Sequence, residues 1–463
     1  MEATAIPRQR IAPAAAGEGW TLAVTASATL LVIAVFAAGI MTMGDTALSL
    51  HTGLAGETWG LSGMSLGLAT ALLTVGVLAD DLGRRRVLVW SAWLLAATSA
   101  AAALAPTIEV FVAARVLQGV AGAGVLASSL AAIGHAFPGG HPRTRATGVW
   151  GAAVGAGIAL GPLAGALVTD ALDWRSSYWL QAAAAAAIAP AAATLAESRS
   201  DRRRPVDLPG VATLGAGMAL LTAGLVTGRQ SWSDGTAVAM LAGGAVLLAA
   251  FAVLELRSRA PMLDLSLVRE PTFVASLTGA LFTGLGVIGL MSYSPIVFVG
   301  GLGVSLLGAA ALLAAWSATS AVVSLLARRL PGRLASHSRL AIGLGVGATG
   351  ELALTGLGAG SSWTRLLPGL AVAGVGSGLA NAALGRLAVE SVPVDRAGMG
   401  SGASNTARYL GGGAGVAVVV AVASAAGGAG TPSDLVAGWN AAAVVCAGLC
   451  AVGALVATRC GPR

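Results

Sequence analysis

The sequence contains no lysine, and all 27 of its basic residues are therefore arginines. A P-loop uses a lysine to hold nucleotide phosphates, and Schiff-base chemistry needs a lysine amine, so neither is open to this chain. With no recognisable means of hydrolysing ATP, an ion gradient is the natural source of energy for any work the protein does. We expect no cofactor and no nucleotide partner.

Charged residues are scarce as well. They make up 10% of the sequence, whereas hydrophobic residues make up 56% and the mean hydropathy is +0.82. A soluble domain carries about 25% charged residues, so this chain could not cover a water-facing surface. The net charge of +7 is better explained by arginines that hold cytoplasmic loops beside a lipid bilayer than by binding to nucleic acid.

Cysteine and histidine are too few and too scattered for a metal site or a catalytic cluster. Cys446 and Cys450 lie four residues apart in an apolar segment with no histidine or acid beside them in the sequence, so we interpret them as packing residues. An enzyme would need a clustered nucleophile, metal or acid–base set. A membrane enzyme or receptor is therefore a distant alternative. The remaining cysteine and the histidines are Cys460, His51, His135, His141 and His337.

Apolar runs of about 20 residues, the length that spans a bilayer core, recur from one end of the sequence to the other. We predict an all-α polytopic membrane protein with fourteen transmembrane helices and short connections. The predicted segments are 22–48, 59–79, 87–105, 109–133, 147–169, 177–196, 208–227, 236–256, 273–299, 306–327, 339–359, 364–385, 402–425 and 435–457.

The arginines predict the orientation of these helices. If the N-terminal tail (1–21) is cytoplasmic, alternate loops on that side carry all but four of the arginines, Arg408 counted among them. Arg175, Arg229 and Arg365 fall on the other side, and Arg115 falls within a helix. Because cytoplasmic loops are enriched in arginine, we expect both termini to be cytoplasmic and the protein to lie in the cytoplasmic membrane.

Two short matches predict an internal repeat. Gly76-Val-Leu-Ala79 resembles Gly332-Arg-Leu-Ala335, and Arg145-Ala-Thr-Gly148 resembles Arg396-Ala-Gly398 at a similar offset. We therefore expect a six-helix half at 22–196, two inserted helices at 197–272 and a second six-helix half at 273–463. Repeated halves around a site near the membrane midplane are common in secondary transporters.

The loop after the second helix resembles the signature loop of the major facilitator superfamily. Its glycines permit a tight turn, and Asp80 can accept charge-assisted hydrogen bonds from an arginine or a helix N-terminus. The resemblance implies a conformational switch that latches the two halves, whereas the simpler alternative is a basic anchor. The loop reads Gly76-Val-Leu-Ala-Asp80-Asp-Leu-Gly83-Arg84-Arg85-Arg86.

The fourth helix contains Arg115, Gln118 and Gly119 in the spacing of the second motif of this superfamily, whose arginine is associated with proton movement. A charge inside a membrane helix is costly, so it normally faces a polar cavity or a partner. Alternatively, the arginine extends to the nearby membrane surface.

The fifth helix resembles the motif that distinguishes antiporters in the superfamily. Gly157, Gly161 and Gly165 lie four residues apart and leave a bare stripe for close helix approach. Pro162 removes a backbone hydrogen bond and bends the helix. A packing stripe alone is the alternative.

Two carboxylates are candidates for carrying a proton. Asp45, in Met43-Gly-Asp45-Thr, resembles part of the first-helix motif of the fourteen-helix drug:proton antiporter branch, and burial would raise its pKa toward neutrality. An aspartate in water at the outer helix end is the alternative. Glu351 lies in the eleventh helix, where we prefer a structural role.

These resemblances imply a secondary transporter that exports drugs or other small organic molecules by proton antiport with alternating access. Asp45 and Arg115 would couple the proton. Met64, Tyr293 and Asn381 would contact the substrate. A symporter or uniporter for a metabolite is the main alternative.

Overall fold

A computed structural model describes residues 15–137, 140–199, 207–228, 235–258, 261, 265–327, 334–358, 360–393, 396–427 and 431–460. These residues contain no strand and form fourteen long helices and two short 3-10 helices, Leu265–Arg269 and Trp363–Arg365. The helices are α1 (Ala15–Ser49), α2 (Leu54–Leu82), α3 (Arg84–Ala103), α4 (Ile108–Ala136), α5 (His141–Ala171), α6 (Trp174–Ala193), α7 (Leu208–Gly228), α8 (Gly235–Arg257), α9 (Pro271–Gly301), α10 (Leu306–Leu326), α11 (Ser336–Ala353), α12 (Leu366–Glu390), α13 (Ala397–Gly427) and α14 (Pro432–Arg459).

The predicted all-helical membrane fold is confirmed, because each of the fourteen predicted segments contains a helix. Within the described ranges, eleven of these helices are long and apolar enough to cross a membrane by length and composition. The other three, α6, α7 and α11, are shorter or less apolar. Most of the predicted tail (1–21) and the repeat residue Gly332 lie outside the described residues.

Short polar turns set where several helices begin. Asp173 caps α6 by accepting a hydrogen bond from the Ser176 backbone N–H at 2.6 Å. Hydrogen bonds from Ser176 lower the pKa of the Asp173 carboxyl. Thr431 and Asp434 form a reciprocal capping box at the start of α14. Such caps satisfy the backbone donors that have no partner in the first turn of a helix.

The helices pack in two groups. In the first group, α1 packs on α5, α2 packs on α4, and α3 packs on both α4 and α6. In the second group, α11 packs on α12 and α14, α10 packs on α12, and α13 packs on α14 and α9. Helices α7 and α8 pack on each other, and α7 also contacts α2. The two groups and the α7–α8 pair follow the same order as the predicted units 22–196, 197–272 and 273–463. The boundaries of those units stay a prediction.

The first and second groups meet mainly along two crossings, α2 with α13 and α5 with α10. We call α1–α6 the first half and α9–α14 the second half. The face of the helix array where α1 begins is called the N-terminal face.

Helix α9 departs from regular α-helical geometry. Two π-helical stretches, Thr283–Ile288 and Val297–Gly301, flank a short α-helical stretch, Gly289–Ile296. Glycines in α9 let it approach α13 closely, since a Cβ at Gly289 would lie 2.7 Å from the backbone of Gly415. π-Helical turns occur frequently at functional sites.

Candidate functional site

The end of α2 binds the start of α13 through Asp80, because residues 76–82 of the predicted loop continue α2 and only Gly83 separates α2 from α3. Asp80 Oδ1 accepts hydrogen bonds from the Gly398 backbone N–H at 3.0 Å and from Arg84 Nη2 at 2.9 Å, and Oδ2 accepts from the Met399 backbone N–H at 2.8 Å. Gly398 and Met399 lie in the first turn of α13, where backbone donors lack intrahelical partners and a negative charge is favourable. A buried carboxylate of the first half therefore caps a helix of the second half.

Neighbouring residues at the connection between α2 and α3 also interact with charged groups. Asp81 Oδ1 lies 3.4 Å from Arg396 Nη1, across the same boundary between the halves. Arg85 donates its backbone N–H to Glu197 Oε1 at 3.1 Å. Gly83 has a φ of +115°, and a Cβ there would lie 2.7 Å from Glu197. The positive φ favours glycine at this position, and a larger residue would also displace the Glu197 carboxylate.

Backbone contacts between glycines continue the contact of α2 with α13. A Cβ at Gly402 would lie 2.5 Å from the Leu72 carbonyl oxygen, and a Cβ at Gly76 would clash with the Gly398 carbonyl oxygen. No residue other than glycine fits these positions without a shift of the backbone.

The second crossing has the same character. On α5, Cβ atoms at Gly148 and Gly155 would lie 3.0 Å from the Ser324 carbonyl oxygen and 2.9 Å from the Ala321 backbone nitrogen of α10. Ser324 Oγ donates a hydrogen bond to the Gly148 carbonyl at 3.3 Å. Nearby, Arg386 of α12 donates to Thr144 Oγ1 of α5 at 3.1 Å.

These contacts lie on one face of the protein. In an up-and-down array, odd-numbered helices begin and even-numbered helices end on the N-terminal face. The contacts involve the ends of α2, α10 and α12 and the beginnings of α5 and α13, so together they form a seal on the N-terminal face.

Arg115 is at the centre of a polar cluster inside the first half. Its side chain is 1% exposed. Nη1 donates to Gln118 Oε1 at 2.9 Å and Nε to the Gly60 carbonyl at 3.5 Å, and Gln118 Nε2 donates to Ser99 Oγ at 2.8 Å. The arginine therefore does not extend to the membrane surface, and the alternative weighed from the sequence is wrong in this respect.

Small residues make room for this cluster. A Cβ at Gly119 would lie 2.7 Å from the Leu68 backbone nitrogen of α2, so only glycine permits this approach of α4 to α2. Met64 is fully buried, and its Sδ lies 3.5 Å from Arg115 Nη1. Met64 packs under Arg115 in this conformation and faces no open cavity; its predicted contact with substrate stays a prediction.

The glycine stripe of α5 packs on α1. Cβ atoms at Gly157, Gly161 and Gly165 would lie 2.7, 2.5 and 3.1 Å from the carbonyl oxygens of Leu30, Ala34 and Ala38. Pro162 is buried within α5. The geometry is that of close helix packing, and the role of this stripe in antiport stays a prediction.

The family is established by comparison with known proteins. The sequence profile of the Major Facilitator Superfamily matches residues 20–416. The chain belongs to the Major Facilitator Superfamily. Its members are transporters, so this multi-pass membrane protein is not an enzyme.

Several similar proteins are named as resistance proteins or transporters. The chain is 32% identical over 379 residues to the multidrug resistance protein Stp of Mycobacterium tuberculosis, covering 81% of this chain and 70% of the relative. It is 34% identical over 378 residues to a probable actinorhodin transporter of Streptomyces coelicolor, covering 78% of this chain and 64% of the relative. A methylenomycin A resistance protein of S. coelicolor is 27% identical, covering 85% and 84%.

Two solved structures share the fold. The human organic anion transporter MFSD10 superposes with a TM-score of 0.68 at 19% identity, covering 95% of this chain and 99% of that one. The proton:xylose symporter XylE superposes with a TM-score of 0.68 at 14% identity, covering 96% and 95%. At these identities the likeness shows the Major Facilitator fold alone.

The structure does not bury Asp45. This residue is exposed near the end of α1 that lies opposite the N-terminal face. The burial expected from the sequence is therefore absent in this conformation, which agrees with the alternative of an aspartate at the outer end of the helix. Its role in proton coupling stays a prediction.

Glu351 lies elsewhere, between α11 and α14. Its side chain is fully buried, Cys450 Sγ donates to Oε1 at 3.6 Å, and Oε2 has no hydrogen-bond partner in the described part of the chain. An acid therefore does accompany the cysteines, contrary to the sequence analysis, because residues 99 positions apart meet only in the folded chain. The described residues contain no group of three metal-ligating side chains.

Sequence reasoning also missed Arg408. It counted this arginine among the cytoplasmic loops, but the structure places it inside α13, ten residues after Gly398, with 6% exposure. Arg408 Nη1 donates to Asn381 Oδ1 at 3.0 Å. The structure thus gives the predicted substrate contact Asn381 a buried cationic neighbour. Tyr293, on α9, is partly buried against the apolar core of the second half.

Proposed function

We propose that this transporter exports drugs or related small organic molecules across the cytoplasmic membrane in exchange for protons. The named relatives support export, since those at about 30% identity are multidrug and antibiotic resistance proteins or transporters of such compounds. No cofactor is required in this proposal, because the proton gradient supplies the energy.

One structural observation carries the proposal. The two halves meet through glycine backbone contacts and through a carboxylate that caps a helix of the opposite half, all on the N-terminal face. Such contacts can be broken by a small rocking movement of one half against the other, because neither half is threaded through the other. Alternating access requires a seal of this kind on one face at a time.

The N-terminal face is cytoplasmic in this proposal, and both termini are therefore cytoplasmic. Arginines on that face include Arg84, Arg145, Arg257, Arg386 and Arg459, whereas Arg175 and Arg365 lie on the opposite face. This excess follows the rule that arginines remain on the cytoplasmic side. The conformation described here would then be closed to the cytoplasm.

Proton coupling would use Asp45 together with Arg115. Asp45 lies near the outer end of α1, and Arg115 lies against α1 deeper in the first half, since it donates to the Val35 carbonyl at 3.4 Å. A carrier exchanges two ligands when both compete for one of its conformations. Binding of the proton from outside and release of substrate to the outside would then be linked through α1.

The test uses inverted membrane vesicles acidified inside by respiration, with a pH-sensitive dye and a panel of antibiotics and dyes. We expect a transported compound to release protons from wild-type vesicles, and Asp45→Asn to abolish this release while compound binding remains. Asp170→Asn, which alters another exposed carboxylate, is the control. Compound movement that is indifferent to the gradient would instead identify a facilitator and exclude antiport.

A further inference from the structure

Arg408 is a buried cation with too few partners. Its single hydrogen bond goes to Asn381, a neutral amide, and its Nε has no partner in the described part of the chain. No carboxylate among the described residues lies within ion-pair distance of it. A buried charge is costly unless it is paired and fully hydrogen-bonded.

Two of the other buried arginines, Arg84 and Arg115, show the contrast. Arg84 is 1% exposed and pairs with Asp80 at 2.9 Å. Arg115 is equally buried, but it donates to Gln118, to two backbone carbonyls and to Met64. Arg408 alone of these three lacks both a counter-ion and a full set of acceptors, so its donors are available to a ligand.

The surroundings of Arg408 belong to both halves. A small cavity beside it is lined from the first half by Leu130 and Trp150, and from the second half by Leu384, Gly385, Ala388, Ser404 and Asn405. The indole N–H of Trp150 is already bonded to Ser129 Oγ at 3.3 Å, which fixes the ring. The walls thus combine an apolar side that contains one aromatic ring with a polar side formed by Ser404, Asn405 and the cation Arg408.

The position along the helices fits a transport site. Arg408 follows Gly398 by ten residues on α13, which is about 15 Å along the helix from the contact of Gly398 with Asp80. Asn381 lies nine residues before the end of α12, at a similar depth. In this conformation the cavity is too small for an organic ligand, so a ligand would enter when the halves separate.

We propose that Arg408 and Asn381 form the anion-binding part of the substrate site, and that the protein transports organic acids with an apolar or aromatic body. The guanidinium would bind a carboxylate through two parallel hydrogen bonds, a geometry that arginine favours. Asn381 would orient the guanidinium, and the apolar walls would hold the body of the substrate. This inference rests on the proposed export function and names its substrate class.

The experiment measures equilibrium binding to the purified full-length protein in neutral-lipid nanodiscs. The probes are 1-naphthoic acid and 1-naphthamide, which share a shape and differ in charge. We expect the wild-type protein to bind the acid at least about tenfold more tightly than the amide. Arg408→Gln should remove this preference, and Arg365→Gln, which alters an exposed arginine, should keep it.

A second variant tests the proposal independently of whether Arg408→Gln folds. Asn381→Asp would give Arg408 an internal counter-ion, so we expect a stably folded protein that no longer prefers the acid. Equal binding of acid and amide by the wild type, or an unchanged preference in Asn381→Asp, would overturn the proposal. A preference for the acid in a protein that releases no protons in vesicles would support the anion site and refute antiport.

Discussion

Replacing Gly402 by alanine would place a side chain inside the seal on the N-terminal face. The new Cβ would lie 2.5 Å from the Leu72 carbonyl oxygen and 3.0 Å from the Leu73 Cα. Ordinary van der Waals contact begins near 3.4 Å, so α2 and α13 would have to separate by roughly 1 Å, since only backbone atoms oppose the methyl group.

The magnitude follows from this overlap. Overpacking of a tight contact typically costs about 1–3 kcal/mol. In the proposed alternating-access cycle the contact exists only while the N-terminal face is closed, so the cost would fall on that conformation alone. A difference of that size changes the ratio of two conformations about 5- to 150-fold, here toward the state that is open on the N-terminal face.

The assay measures the distance between nitroxide labels on the two halves. Labels at His141→Cys and Ala335→Cys would report on the N-terminal face, where both residues are exposed, after replacement of the native cysteines. We expect Gly402→Ala to increase the population of long distances in double electron–electron resonance. Gly345→Ala, where a Cβ would meet nothing within 4 Å, should leave the distribution unchanged.

An unchanged distribution in a folded Gly402→Ala protein would refute the reasoning. It would mean that the α2–α13 contact either persists in both conformations or yields without cost. A changed distribution in the Gly345→Ala control would show that helix glycines in general, and not this contact, govern the equilibrium.

Three further predictions concern other parts of the site. Asp80→Asn removes the charge that accepts hydrogen bonds from Arg84 and from the start of α13, so we expect the seal to be weaker by about 1–3 kcal/mol. The weaker seal should appear as longer label distances and as reduced export of a fluorescent drug. Gly161→Ala would place a Cβ 2.5 Å from the Ala34 carbonyl oxygen, and we expect a loss of about 1–3 kcal/mol of stability, seen as a lower melting temperature in scanning fluorimetry. Glu351→Gln keeps the shape of a side chain that packs inside the second half, so we expect unchanged proton release in vesicles.

Matched variants make these predictions specific. Asp170→Asn should leave label distances and export unchanged, because Asp170 is exposed. Gly448→Ala on α14, where a Cβ would meet nothing within 4 Å, should melt at the wild-type temperature. Loss of proton release in Glu351→Gln, with the seal intact, would assign coupling to Glu351 in place of Asp45.

Local pattern was sufficient to predict the helices and the hydrogen-bonding chemistry of the motif around Asp80, although that motif lies mostly in the helices α2 and α3 and not in a loop. A hydrophobic run is visible in the local order of residues, and each predicted segment has its helix. Asp80 could be expected to accept from an arginine or a helix N-terminus because the loop spacing is local. That the arginine is Arg84 and that the helix is α13, 318 residues further along the chain, required the folded structure.

Burial and depth could not be predicted in the same way. Asp45 lies in an apolar segment yet is exposed, because side-chain exposure depends on which face of α1 meets its neighbours. Arg408 lies within the predicted segment 402–425, yet it was counted with the cytoplasmic arginines because it falls near the start of that segment; α13 begins at Ala397, so Arg408 lies about three turns inside the helix. Cys450 and Glu351 meet through the packing of α14 on α11, which no sequence spacing reveals.

The glycine-to-glycine crossing of α2 and α13 also limits how the transporter can change in evolution. Glycine is the smallest residue, so any substitution at Gly76, Gly398 or Gly402 adds side-chain atoms between α2 and α13. Such a substitution can only push the two helices apart. Every amino-acid substitution at these three positions is therefore expected to loosen the seal on the N-terminal face. Variants that favour the sealed conformation more strongly would have to arise elsewhere, for example among the charged groups around Asp81 and Arg396.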